Sequence, residues 1–207
     1  MIRVWGRTNS ANVMKVLWTL DELGLAYERI DAGGKFGRTA TPEYRVMNPL
    51  GLVPALEEDG FALFESNAII RYLCNAHAPA SPLYPAEARA RGPVDAWLDT
   101  QQTALNRPQS IVFAGMVRTP PAQRDNAAIA AALAEVSAVW GLVNAQLAGR
   151  PFICGDSLTL ADIAFGCHAH RWFGMDIARP AFTELHAWYW RLLARPGYAA
   201  HVAQPIS

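Results

Sequence analysis

In the stretch "NPLGLVPALEEDGFALFESNAIIRYL", from Asn48 to Leu73, two features could do chemistry. Pro54 stands in a run of strand-forming residues, where it removes a ladder hydrogen bond and belongs at an edge or a sharp bend. A cis Val53-Pro54 bond, the minority form among X-Pro pairs, would turn the Val53 backbone N–H and C=O outward to pair with an extended peptide. Glu65-Ser66 then opens an apolar helix. Ser66 at a helix start reads first as a simple cap. The same position also gathers free N–H groups and partial positive charge, which suit a carboxylate, while Glu65 suits an ammonium group. An α-amino acid carries both groups on one carbon, so the pair would clamp one.

The elements needed to position these residues are legible around them. "IRVW" reads as a strand, and "VMKVLWTLDELG" places Val13, Val16, Leu17, Leu20 and Leu23 at helical spacing before Gly24 ends the helix. "AYERID" is a second strand, giving a β-α-β unit with a parallel pair. A loop-rich stretch comes next, with a turn or two of helix near Glu43 to Val46. "VPALEEDGFALFE" reads as a hairpin turning at "EDG", and Ser66 to His77 as a helix. The order is β-α-β-α-β-β-α. Beyond "APASPLYPAEARARGP" only helical runs appear, roughly Ala86 to Val117, Arg124 to Leu147, Leu160 to Phe173 and Phe182 to Ala194. The expected organisation is an α/β domain over residues 1–78, a linker over 79–88 and an all-α domain over 89–207.

Composition narrows the partners. The 207 residues include 18 basic and 18 acidic side chains, so no charge footprint marks nucleic acid or an anionic membrane as a partner. The start lacks the pattern of a secretory signal, and no uninterrupted apolar run of about 18 residues occurs later, so a cytoplasmic protein is expected. Cys74, Cys154 and Cys167 are too widely spaced for a Cys-x-x-Cys metal or redox pair. His168 and His170 are two apart on a helix and face different ways, so no metal site is expected there.

The Asn48–Leu73 stretch resembles the glutathione-binding signature of the cytosolic glutathione S-transferases. It joins Asn-Pro-x-Gly-x-Val-Pro-x-Leu to Glu-Ser-x-Ala-Ile-x-x-Tyr-Leu at that family's separation. "DSLTLADIAFG" resembles the family's capping-box segment, with Thr159 as N-cap and Asp162 three residues later. The start "VWGRTNSANVMKVLWTLDEL" is most similar to a bacterial theta-like or nu-like subgroup. The resemblance implies a thioredoxin-like N-terminal domain, an all-helical C-terminal domain, a homodimer, and glutathione as co-substrate with no metal. It also implies attack of the glutathione thiolate on a small electrophile, by conjugation or halide displacement. The alternatives are a glutathione-dependent disulfide reductase and a non-enzymatic adaptor keeping the fold.

Carried onto this chain, the resemblance assigns Val53, Pro54, Glu65 and Ser66 to glutathione. The start of the first helix holds neither cysteine nor tyrosine, so the donors to sulfur are hydroxyl and amide, from Ser10 and Asn12. Their spacing from Lys15 matches the hydroxyl and Asn pair of nu-like relatives, and a simple helix cap is the alternative role for either. Where many members carry a polar residue before Val-Pro, this chain has Leu52, which leaves Lys35 or Arg38 for the glycyl carboxylate. Arg7, Phe36, Arg107 and Phe113 are expected near the electrophile.

Overall fold

The computed structural model describes all 207 residues. Strands β1 (Ile2–Trp5), β2 (Tyr27–Ile30), β3 (Ala55–Glu58) and β4 (Phe61–Phe64) form one sheet in the order β2-β1-β3-β4. β1 runs parallel to β2, with Ile2 opposite Tyr27, and antiparallel to β3, with Val4 opposite Leu56. The β3-β4 hairpin turns on Asp59 and Gly60, both at positive φ (49° and 87°), the backbone that a two-residue turn needs to match strand twist. Helices α1 (Ala11–Glu22), α2 (Pro42–Met47) and α3 (Ser66–His77) complete this unit in the expected order.

α1 is buried on every side. Val13, Val16 and Leu20 are fully enclosed, and so are Lys15 and Thr19 on the other face. The reason is its position: α3 packs on one flank, and α7 (Leu160–Gly174) and α9 (Pro196–His201) on the other. Trp18 fits between the last two only because Gly166 and Gly197 lack side chains. A Cβ at either would lie 2.9 Å from its ring. Arg195, just before α9, donates to Glu22 of α1 at 2.8 and 2.6 Å. One apolar cluster of 43 buried residues therefore runs from Ile2 to Val202.

The C-terminal helices differ in detail from the sequence reading. The run expected from Ala86 to Val117 is α4 (Ala88–Thr100), a wide π-type turn (Gln101–Leu105), α5 (Asn106–Phe113) and a second π-type turn (Ala114–Arg118). Pro108 offers no N–H to the carbonyl four residues back and crowds it, a local reason for the first turn to widen. Six-residue α9, opened by Pro196, is an element the sequence reading lacks. α6 (Asn126–Gln146) and α8 (Thr183–Leu193) match their expected runs. By length and hydropathy α6 could cross a bilayer, because alanines surround its one charged residue, Glu135. Here it packs on α5 and α8 with Val136, Trp140 and Val143 buried.

Candidate functional site

The site is built where three chain segments meet at the N-terminal end of α1. β1 leads through Gly6 into the turn before Ser10, and Gly6 lies so close to Val13 that a Cβ there would collide with it. Ser10 takes the N-cap position, yet its side chain makes no cap hydrogen bond and has no protein partner. The hydroxyl is nearly enclosed and free to donate. Asn12, in the first turn of the helix, accepts from Ser66 Oγ through Oδ1 at 3.3 Å, leaving its NH2 without a protein partner.

The second segment precedes β3. The Val53-Pro54 bond is cis. The carbonyl before it, on Leu52, is held by Tyr44 OH at 2.6 Å and Asn48 Nδ2 at 2.8 Å. Val53 itself makes no backbone hydrogen bond, so an extended ligand has an edge to pair with. The third segment is the start of α3, where Glu65 sits at φ 69°, unusual for a residue with a side chain, with that side chain exposed. Ser66 comes next, buried, as the first residue of the helix.

Beneath Ser66 lies a polar network that the sequence reading missed. Fully buried Lys15 donates from Nζ to Gln101 Oε1 at 2.6 Å, Asn67 Oδ1 at 3.1 Å and Ser66 Oγ at 3.4 Å. Burial pulls its pKa down to about 8, opposed by the negative charge of Glu65. Gln101, aimed inward from the first π-type turn, meets His168 Nε2 at 3.0 Å. Burial and the nearby Lys15 and Arg171 push His168 well below its usual value, so the ring is neutral and accepts from the amide. The available signal was a lone lysine in the middle of the apolar run Val13 to Leu17. His170 faces away, toward Tyr189 OH and the Gln204 carbonyl.

A cleft of about 230 Å³ opens beside Ser10, lined by Arg7, Asn12, Val53, Asn106, Ser110, Arg118 and Arg171 among others. Larger grooves exist, such as the one of about 510 Å³ between Pro79 and Thr159, but they do not reach Ser10, Val53 or Ser66. Of the residues expected near the electrophile, Arg7 lines the cleft. Phe113 lies buried against it, with the Arg171 and Arg118 guanidinium groups 4.1 and 4.8 Å from its ring centre. Arg107 points to solvent, because Asn106 and Ser110, one turn apart, occupy the cleft-facing side of α5. Phe36 is exposed in the 33–37 loop with Lys35 Nζ over its ring at 5.1 Å, and neither lines the cleft. Arg38 lines a separate groove with Trp5 and Tyr44.

Comparison with known proteins bears on this arrangement. The family model described as the N-terminal domain of glutathione S-transferase matches residues 1–75, and that of the C-terminal domain matches 126–191. The chain is 39% identical to the glutathione S-transferase GstB of Escherichia coli strain K12, over 100% of both sequences. It is 30% identical to glutathione S-transferase 4 of Zea mays, covering 98% of this chain and 92% of that protein. Among solved structures, it is similar to the theta class glutathione S-transferase of Xanthomonas axonopodis pv. citri with glutathione bound. That likeness has a TM-score of 0.95 and 43% identity, over 100% of this chain and 99% of the other. The apo form of the same protein gives a TM-score of 0.86.

Proposed function

The chain belongs to the glutathione S-transferase family, and on that premise we propose how its own residues bind and activate glutathione. Residues 1–78 bind the tripeptide, and a linker over 79–88 joins them to the helical unit of 89–207, which supplies the far wall of the cleft. The γ-glutamyl ammonium pairs with Glu65 and its carboxylate with Ser66 at the start of α3. The cysteinyl backbone pairs with Val53 beside cis-Pro54, and the glycyl carboxylate with Lys35 or Arg38. The sulfur then lies at the start of α1.

A serine hydroxyl is too weak an acid to act as base at neutral pH. Ser10 instead donates to sulfur, Asn12 NH2 donates a second hydrogen bond, and the α1 N-terminus adds positive potential. All three favour the thiolate, so the proton leaves to water. The thiolate attacks a carbon of a small electrophile, and a leaving halide departs with the bonding pair. The observation that carries this reading is the unspent Ser10 hydroxyl facing the same cleft as Asn12, which is itself bonded to Ser66. The names of the relatives favour a transferase over a disulfide reductase or an adaptor. We take the working form to be a cytoplasmic homodimer, consistent with an exposed β4 edge carrying Phe61.

The test is a pH titration of thiolate absorbance at saturating glutathione for Ser10→Ala, Asn12→Ala and the double variant. Each loss should raise the midpoint, with the double variant highest, and slow turnover near neutral pH by roughly 10–1000-fold. An unmoved midpoint in all three variants removes both residues from the assignment.

A further inference from the structure

Three guanidinium groups, those of Arg7, Arg118 and Arg171, line the cleft beside Ser10. None is paired with an aspartate or glutamate, although seven arginine or N-terminal ion pairs form elsewhere in the molecule. Arg7 donates to Asn9 Oδ1 at 2.6 Å and Arg171 to the Asn9 carbonyl at 2.8 Å, both neutral acceptors. Arg118 donates at 2.8 Å to a main-chain oxygen of Ser207, the last residue, so at most one of the three charges is offset within the chain. Burial, and then the charges of Arg118 and Arg7, pull Arg171 down to about 10. Burial and Arg118 lower Arg7 as well. Like charges gathered in a half-closed site destabilise one another unless a ligand brings the opposite charge.

Glutathione does not supply it at this place. Its two carboxylates are accounted for at Ser66 and in the 35–38 loop, and its sulfur at Ser10 and Asn12. Resting on that reading of the site, we propose that the electrophile is itself an anion, a small molecule whose carboxylate or sulfonate is held by Arg7, Arg118 and Arg171. The cleft, about 230 Å³, has room for a small molecule of this kind beside the sulfur. The chemistry gains from this arrangement. A thiolate and an anionic electrophile repel one another in water, and the arginines cancel that repulsion while leaving the carbon open. The sulfur forms a bond to the halogen-bearing carbon, the halide leaves with its electron pair, and the carboxylate is unchanged.

Iodoacetate and iodoacetamide test this, because they share a leaving group and differ chiefly in charge. For each, kcat/KM is divided by the spontaneous rate with free glutathione. The ratio of the two quotients should favour iodoacetate by roughly 10–100-fold, the scale of one charge-assisted contact. Arg118→Met, at an exposed position, and Arg7→Met should each lower that ratio several-fold, and raised salt should compress it. Affinities of the products S-(carboxymethyl)glutathione and S-(carbamoylmethyl)glutathione, read by calorimetry, should show the same preference without turnover. Equal affinities, or a charge ratio unmoved by either substitution, overturn the inference while leaving the transferase reading intact. Failure of either product to bind, with no turnover of either reagent, overturns the reading of the site together with the inference.

Discussion

Ser10 and Lys15, five residues apart on one helix, have opposite relations to their surroundings. A serine at an N-cap ordinarily bonds a free N–H of the first turn, a contribution of about 1 kcal/mol that Ser10 forgoes. Lys15 is saturated with protein acceptors and closed off from water. Its pKa, brought from 10.5 to about 8 mainly by burial, has a definite consequence for stability. Between those two values the unfolded chain holds a proton that the folded protein has released. The cost of burying the cation is thus fully present below pH 8 and fades as pH rises toward 10.5. Urea unfolding of wild type and Lys15→Met should differ by a constant amount below about pH 7. From about pH 8 the difference should move in favour of wild type, by up to about 1.4 kcal/mol per pH unit. A difference independent of pH throughout would mean that Lys15 is not a desolvated cation. The proposed clamp of Glu65, Ser66 and Val53-Pro54 was legible in the sequence because it would use local, contiguous chemistry. The sequence hid Lys15, Gln101 and His168 because their meeting spans 153 residues and depends on how α1, the first π-type turn and α7 pack.

Among the elements, α7 shows how a local signal acquires a tertiary role. The Thr159–Asp162 capping box is present, as the spacing predicts. Asp162 does more than cap. Fully buried, it accepts from the Ile153 and Thr159 N–H groups, from Thr159 Oγ1 and from Trp188 Nε1, all within 3.0 Å. It ties the 151–159 loop, α7 and α8 at one point. Asp162→Ala leaves several buried donors unpaired and should lower the unfolding free energy by about 3 kcal/mol or more, with Asn recovering part through its one carbonyl. Chemical denaturation reads the loss, and a change below about 1 kcal/mol would refute the tie. Turnover per folded molecule should stay near wild type, because the network does not touch the cleft. Helix phase was the harder inference. Each π-type turn carries more residues per turn than an α-helix, so it rotates every later position about the helix axis. Asn106 and Ser110, one residue and five residues past the first such turn, face the cleft, whereas Arg107, expected near the electrophile, points to solvent.

At the scale of the molecule, the sheet and the helical bundle share one interior. The 43-residue cluster takes Ile2, Val4 and α1 from one side and Val94, Phe165 and Tyr198 from the other, so neither unit has a core wholly its own. Urea unfolding followed by tryptophan emission and by far-ultraviolet circular dichroism should therefore trace one coincident transition. Two separated transitions would show that the units are energetically independent. The recognised motifs said nothing of this continuity, because it rests on α9 and on the two glycines that admit Trp18. The burial of α1 also orders events in time. Amides at the centre of a shared core open only when the whole protein does, whereas exposed loop backbone such as 34–42 opens by local fluctuation. On the proposed placement, an arriving tripeptide would meet a wall at its sulfur that is already rigid and a margin at its glycine that still yields. Docking would begin at the thiol and finish at the opposite end, with the loop gathered last and released first.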